Sequence, residues 1–68
     1  MSEALNNRIK DFRAANGWTQ ADLAEACRVS RKTINTVENG VFVPSTVLAL
    51  RIAATFGVAV EEIFWLAE

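Results

Sequence analysis

Gly17, Gly40 and Gly57 each follow a helix-like segment. They stand where a helix closes on a left-handed residue, a conformation that glycine adopts without steric cost. Three such stops in 68 residues predict at least three helix ends. Helix starts are marked too. Thr19, Ser30 and Ser45 each precede a helical pattern and offer an oxygen to the free amides of a first turn. Trp18 and Leu23 bracket the first of these caps, and Val29 and Ile34 the second, at the spacing of a hydrophobic staple. Val58 and Ile63 repeat that spacing around Ala59, a poor cap, so the last helix is expected to start weakly. No stretch alternates apolar and polar residues over a useful length, and strands are not expected.

The pattern predicts an all-α chain of five helices. The first covers about 3–15, with Leu5, Ile9 and Phe12 on one face. The second covers about 20–27, with Leu23, Ala24 and Cys27 inward, and the third about 31–39, with Ile34 and Val37 inward. The fourth covers about 46–56, with Leu48, Ile52 and Ala53 in the core and Leu50 and Phe56 partly buried. The fifth covers about 60–66, around Ile63 and Phe64. Pro44 keeps the third and fourth helices apart, because the residue before a proline avoids helical geometry. One domain spanning residues 1–68 is expected, without repeats or a linker.

A domain of this size is only marginally stable on its own. Cys27 is the sole cysteine and there is no histidine, so an internal disulfide and a zinc site are not expected. Cys27 reads as a small core residue. Tight packing and oligomerisation remain as sources of stability. Met1-Ser2-Glu3-Ala4 lacks the basic start and apolar run of a signal peptide, and no apolar stretch is long enough for a membrane span. A cytoplasmic protein is expected. Without histidine, a clustered carboxylate pair or a phosphate-cradling glycine loop, neither an enzyme nor a cofactor site is expected.

The formal net charge of −1 is not the basic balance usual in a nucleic-acid binder. Its distribution says more. Residues 28–36 hold Arg28, Arg31 and Lys32 and no acid. They fall inside TQADLAEACRVSRKTINTVENG, residues 19–40, where two short helices are joined by only a few residues. So short a connection forces a steep crossing, and Ala24 supplies the small residue that close approach requires. Leu23, Cys27, Val29, Ile34 and Val37 then close a shared core, leaving Arg31, Lys32, Asn35, Thr36 and Asn39 on the outer face of the third helix. That face is rich in donors and free of acid. It suits the major groove of duplex DNA, where arginine or lysine reads guanine and asparagine reads adenine.

This segment resembles the helix-turn-helix of the Cro and phage-repressor type, the XRE family. The resemblance rests on Thr19-Gln20, Leu23-Ala24, Val29-Ser30, Ile34 and Glu38-Asn39-Gly40. It extends through Pro44-Ser45 and Gly57-Val58 to Glu61-Glu62-Ile63-Phe64. It implies a five-helix phage-repressor-like fold and assigns roles by position. Gln20 would contact a phosphate and brace the recognition helix. Ser30, Arg31 and Lys32 would start that helix in the groove. Thr36 would reach bases from the next turn beside Asn35, and Thr33 and Asn39 would hold phosphates. Arg13 and Glu38 resemble a structural ion pair of the family between the first and third helices. Arg28 is a departure, since the family usually has glycine in that turn. A left-handed arginine there would cost roughly 1 kcal/mol.

Phe64, Trp65 and Leu66 cannot all point into one small core, so residues 58–68 are a candidate dimerisation segment that Leu50 and Val47 could join. The alternative for Trp65 and Leu66 is packing against the first helix. The reading as a whole is a small transcriptional repressor acting as a homodimer on a palindromic operator. The rival is an antitoxin or restriction-modification control protein, which would bind a partner protein, such as a toxin, as well as DNA.

Overall fold

The computed structural model describes residues 4–67. A short strand β1 (Leu5–Asn7) leads into α1 (Ile9–Asn16), α2 (Gln20–Cys27), α3 (Arg31–Glu38), α4 (Thr46–Phe56) and α5 (Val60–Ile63), and the chain closes on strand β2 (Phe64–Leu66). The three hydroxyl caps act as their positions predict. Thr19 Oγ1 accepts from Asp22 N at 3.0 Å, Ser30 Oγ from Thr33 N at 3.1 Å, and Ser45 Oγ from Leu48 N at 3.0 Å. Gly17, Gly40 and Gly57 all have positive φ, between 69° and 75°. At Ala59 no side chain caps the helix, and Glu62 Oε2 instead accepts the Ala59 N–H at 3.0 Å.

The all-α expectation is corrected at both ends. β1 and β2 pair antiparallel, with Leu5 opposite Leu66, Asn6 opposite Trp65 and Asn7 opposite Phe64. Arg8 N donates to Ile63 O at 2.9 Å, and Ala67 N to Ala4 O at 2.8 Å. The first helix therefore begins at Ile9 rather than near residue 3, and the last ends at Ile63 rather than near 66. Residues 3 and 68, which the expected first helix and dimerisation segment included, lie outside the described residues, as do Met1 and Ser2. The physical reason is that Leu5, Ile9 and Phe12 carry a helical spacing while the backbone of Leu5–Asn7 is claimed by a partner strand far along the chain. Asn7 makes the break. Its Oδ1 accepts the Ile9 N–H at 3.1 Å, which starts α1 there.

The core gathers Ile9 from α1, Leu23, Ala24 and Cys27 from α2, Ile34 and Val37 from α3, Leu48, Ile52 and Ala53 from α4, and Ile63 and Phe64 at the end. Leu5, Phe12, Trp18, Val29, Phe56 and Val58 pack around it half-buried, and Trp18 stacks on Phe56 at 5.4 Å. Phe64, grouped in the sequence with Trp65 and Leu66 as a dimer surface, is corrected to a core residue at 8% exposure. Alternation along β2 turns Phe64 inward and Trp65 outward, where Arg8 lies 4.7 Å above the Trp65 ring. Trp65 and Leu66 thus sit on β2, paired to the strand that leads into α1. Leu50, expected to be partly buried, is exposed, because the inward stripe of α4 runs through Leu48, Ile52 and Ala53. Among the described residues no helix is long and apolar enough to cross a membrane.

Candidate nucleic-acid interface

Three residues, 28–30, join α2 to α3. Arg28 takes the left-handed conformation, φ 60° and ψ 42°, and is the one non-glycine residue among those described with positive φ. Its N–H donates to Glu25 O at 3.2 Å and the Val29 N–H to Ala24 O at 3.0 Å, which satisfies the last carbonyls of α2. Arg51 of α4 adds a bond from Nη1 to Cys27 O at 3.1 Å. The turn is thus held from its own backbone and from α4, and it carries an arginine where glycine would be easier.

α3 is anchored at its far end. Arg13 of α1 donates through Nε to Glu38 Oε2 at 2.9 Å and through Nη2 to Oε1 at 2.8 Å. A third bond runs from Arg13 Nη1 to Trp18 O at 3.0 Å. Gln20 Nε2 donates to Glu38 Oε1 at 3.3 Å, which ties α2 to the same carboxylate. Both charged side chains are largely covered, 14% exposed for Arg13 and 8% for Glu38. The Arg13 hydrogen bonds hold the Glu38 carboxyl below its ordinary range, against the opposing effect of burial, and Glu38 in turn raises Arg13. Asn7 supplies a further tie that sequence reasoning missed, with Nδ2 donating to Val37 O at 3.1 Å. Its only signal would have been an asparagine just ahead of an apolar helical run. The expected ion pair is therefore present, and Gln20 braces α3 through the same carboxylate.

The opposite end of α3 is open. Arg31 and Lys32 are exposed, the first turn holds no acid, and neither has a salt-bridge partner among the described residues. Two cations at a helix N-terminus oppose the helix dipole, an arrangement that lowers stability unless an anion arrives. Ser30 spends its acceptor on the cap and its hydroxyl lies 2.9 Å from Thr33 Oγ1. Thr36 is half-buried, its hydroxyl donating to Thr33 O at 3.0 Å. Asn39 Nδ2 donates to Asn35 Oδ1, and both side chains are exposed. Arg31, Lys32, Thr33, Asn35, Thr36 and Asn39 thus all come from one short helix and its end, with Ser30 at its start. Gln20 is half-buried at the start of the neighbouring helix.

Comparison with known proteins agrees with this geometry. The helix-turn-helix family model matches residues 9–63. The chain is 41% identical over 64 residues to the HTH-type transcriptional regulator YgzD of Bacillus subtilis, covering 94% of this chain and 97% of that protein. It is 47% identical over 60 residues to the HTH-type regulator MJ0272 of Methanocaldococcus jannaschii, covering 88% and 91%. Among solved structures it resembles the hypothetical transcription factor NHTF from Neisseria (TM-score 0.75, 30% identity, 79% of this chain and 61% of that one). It also resembles the restriction-modification controller C.AhdI from Aeromonas hydrophila (TM-score 0.75, 28% identity, 79% and 82%). With its hydroxyl-capped cationic helix held against the neighbouring helix by a short turn and a covered ion pair, the chain belongs to the Cro/C1-type (XRE) helix-turn-helix family of transcriptional regulators.

Proposed function

We propose that this chain is a sequence-specific repressor that binds a near-palindromic operator as a homodimer in the cytoplasm. The observation that carries the reading is the start of α3, where exposed Arg31 and Lys32 stand in an acid-free first turn on a rigidly braced helix. In the groove these two side chains read bases or grip phosphates at the helix start. Thr36 and Asn35 act one turn further on. Ser30 stands with Arg31 and Lys32 at the groove-facing start, and Thr33, Asn39 and Gln20 set the register through phosphate contacts. Repression comes from occlusion of a promoter.

Two copies place their recognition helices about one DNA turn apart, roughly 34 Å. The surface available for pairing is Trp65 and Leu66, exposed at 39% and 56%, together with Val47 and Leu50 on α4. The likeness to a restriction-modification controller supports a second reading, in which the same DNA-binding face governs such a system.

Selection of bound duplexes from a random pool, repeated at two salt concentrations, tests the proposal. It predicts an enriched near-palindrome whose affinity falls with salt by a log–log slope of about −0.9 per phosphate neutralised. Failure to enrich any sequence, or binding indifferent to salt, would overturn it. Light scattering across micromolar concentrations tests the dimer, and a monomer throughout would rule it out.

A further inference from the structure

The loop after α3 carries an apolar group onto the exposed face of that helix. Val41, Phe42 and Val43 are all more than half exposed, an unusual run for a soluble loop. Phe42 is not loose. The Val41 and Phe42 N–H groups both donate to Thr36 O, at 2.9 and 3.2 Å, which folds the loop back against α3. Phe42, Lys32, Thr33 and Thr36 then line one open groove of about 200 Å³. With those amides bonded internally, neither is free for a phosphate. Residues 40–50 contain no lysine or arginine. The Thr36 hydroxyl is likewise engaged with its own helix. What this corner offers DNA is therefore apolar contact, and in the major groove the apolar feature of a base edge is the C5-methyl of thymine.

We infer that Phe42, with Thr36, forms a receptor for a thymine methyl group beside the contact made by Lys32, and so sets sequence preference at one position of each half-site. The inference rests on the DNA-binding role proposed for α3. A protein occupant fits less well, because it would cover Lys32 on the same groove wall.

The test uses the full chain and the operator recovered by selection. Each thymine of one half-site is replaced in turn by uracil, which removes the methyl group alone, and affinity is read by fluorescence anisotropy. At one position uracil should weaken wild-type binding about fourfold, the effect of burying one methyl group. With Phe42→Ala the thymine–uracil difference at that position should shrink to near unity, and Phe42→Leu should retain part of it. The salt slope should be the same for all three proteins. Equal uracil sensitivity in wild type and Phe42→Ala would overturn the inference, and so would an effect of Phe42→Ala on self-association rather than on DNA. Should Phe42→Ala fail to fold by circular dichroism, the wild-type scan still decides, since no uracil-sensitive position would overturn the inference. Loss of all salt-dependent DNA binding would mark failure of the underlying DNA-binding role instead.

Discussion

α2 and α3 are two helices of eight residues, each started by a hydroxyl cap, and they differ in the residues of the first turn. In α2 the third residue is Asp22, which accepts the Thr19 N–H at 2.9 Å while Thr19 Oγ1 accepts the Asp22 N–H. The Thr19 N–H, and after it the Thr19 hydroxyl, lower the pKa of the Asp22 carboxyl, and the acid complements the helix dipole. In α3 the corresponding residue is Thr33, and the two before it are Arg31 and Lys32. One start is closed and self-satisfied. The other leaves a positive end exposed, with cations added to it. A departure from local preference of this kind is what a chain shows where a position serves function rather than stability, and it supports the proposed role of the α3 start. The stability that α3 lacks at its start is supplied at its other end by Arg13, Gln20 and Asn7.

The largest expected effect is therefore at that other end. Glu38→Ala leaves Arg13 covered and unpaired and should lower unfolding stability by about 3 kcal/mol, measured by urea denaturation. Titration sharpens the same point. The folded pKa of Glu38 is below its ordinary value of 4.5, so the pair contributes fully above about pH 4.5 and its contribution is lost as pH falls through the lower folded value. Glu38→Gln should flatten that part of the acid-unfolding curve. Next comes the open start. Arg31→Ala should weaken operator binding by about thirtyfold while the melting temperature of the free protein rises slightly, as one cation leaves the helix start. Thr19→Ala is the counterpart in α2, and should cost about 1 kcal/mol of stability with little change in intrinsic DNA affinity. The smallest effect is at the turn between them. Arg28→Gly relieves the left-handed strain but adds freedom to the unfolded chain, for a net gain of about 0.5 kcal/mol by thermal unfolding.

The parts of the fold that were legible in the sequence are those written locally. Caps at Thr19, Ser30 and Ser45 and stops at Gly17, Gly40 and Gly57 depend on residues within one turn of each other, and they locate α2, α3 and α4 closely. The strand pair was not legible. Strands of three residues are too short to show alternation, and the partners Leu5 and Leu66 lie at opposite ends of the chain. Leu5 carries the helical spacing of Ile9 and Phe12, and Phe64 reads as one of three surplus apolar residues until the strand turns it inward. The proposed binding face was legible as a set of residue types on one helix. Asn7, Arg51 and Phe42 were not, because each matters through a backbone carbonyl or a groove that only the tertiary fold brings near.

Thr33→Asp would give α3 the same third-residue acid as α2. On the proposal that the open, cationic start of α3 binds DNA, this single change should raise the melting temperature, by completing a capping box with Ser30, while sharply reducing affinity for the selected operator in an anisotropy titration. A variant that is more stable and binds the operator as tightly as the wild type would contradict it.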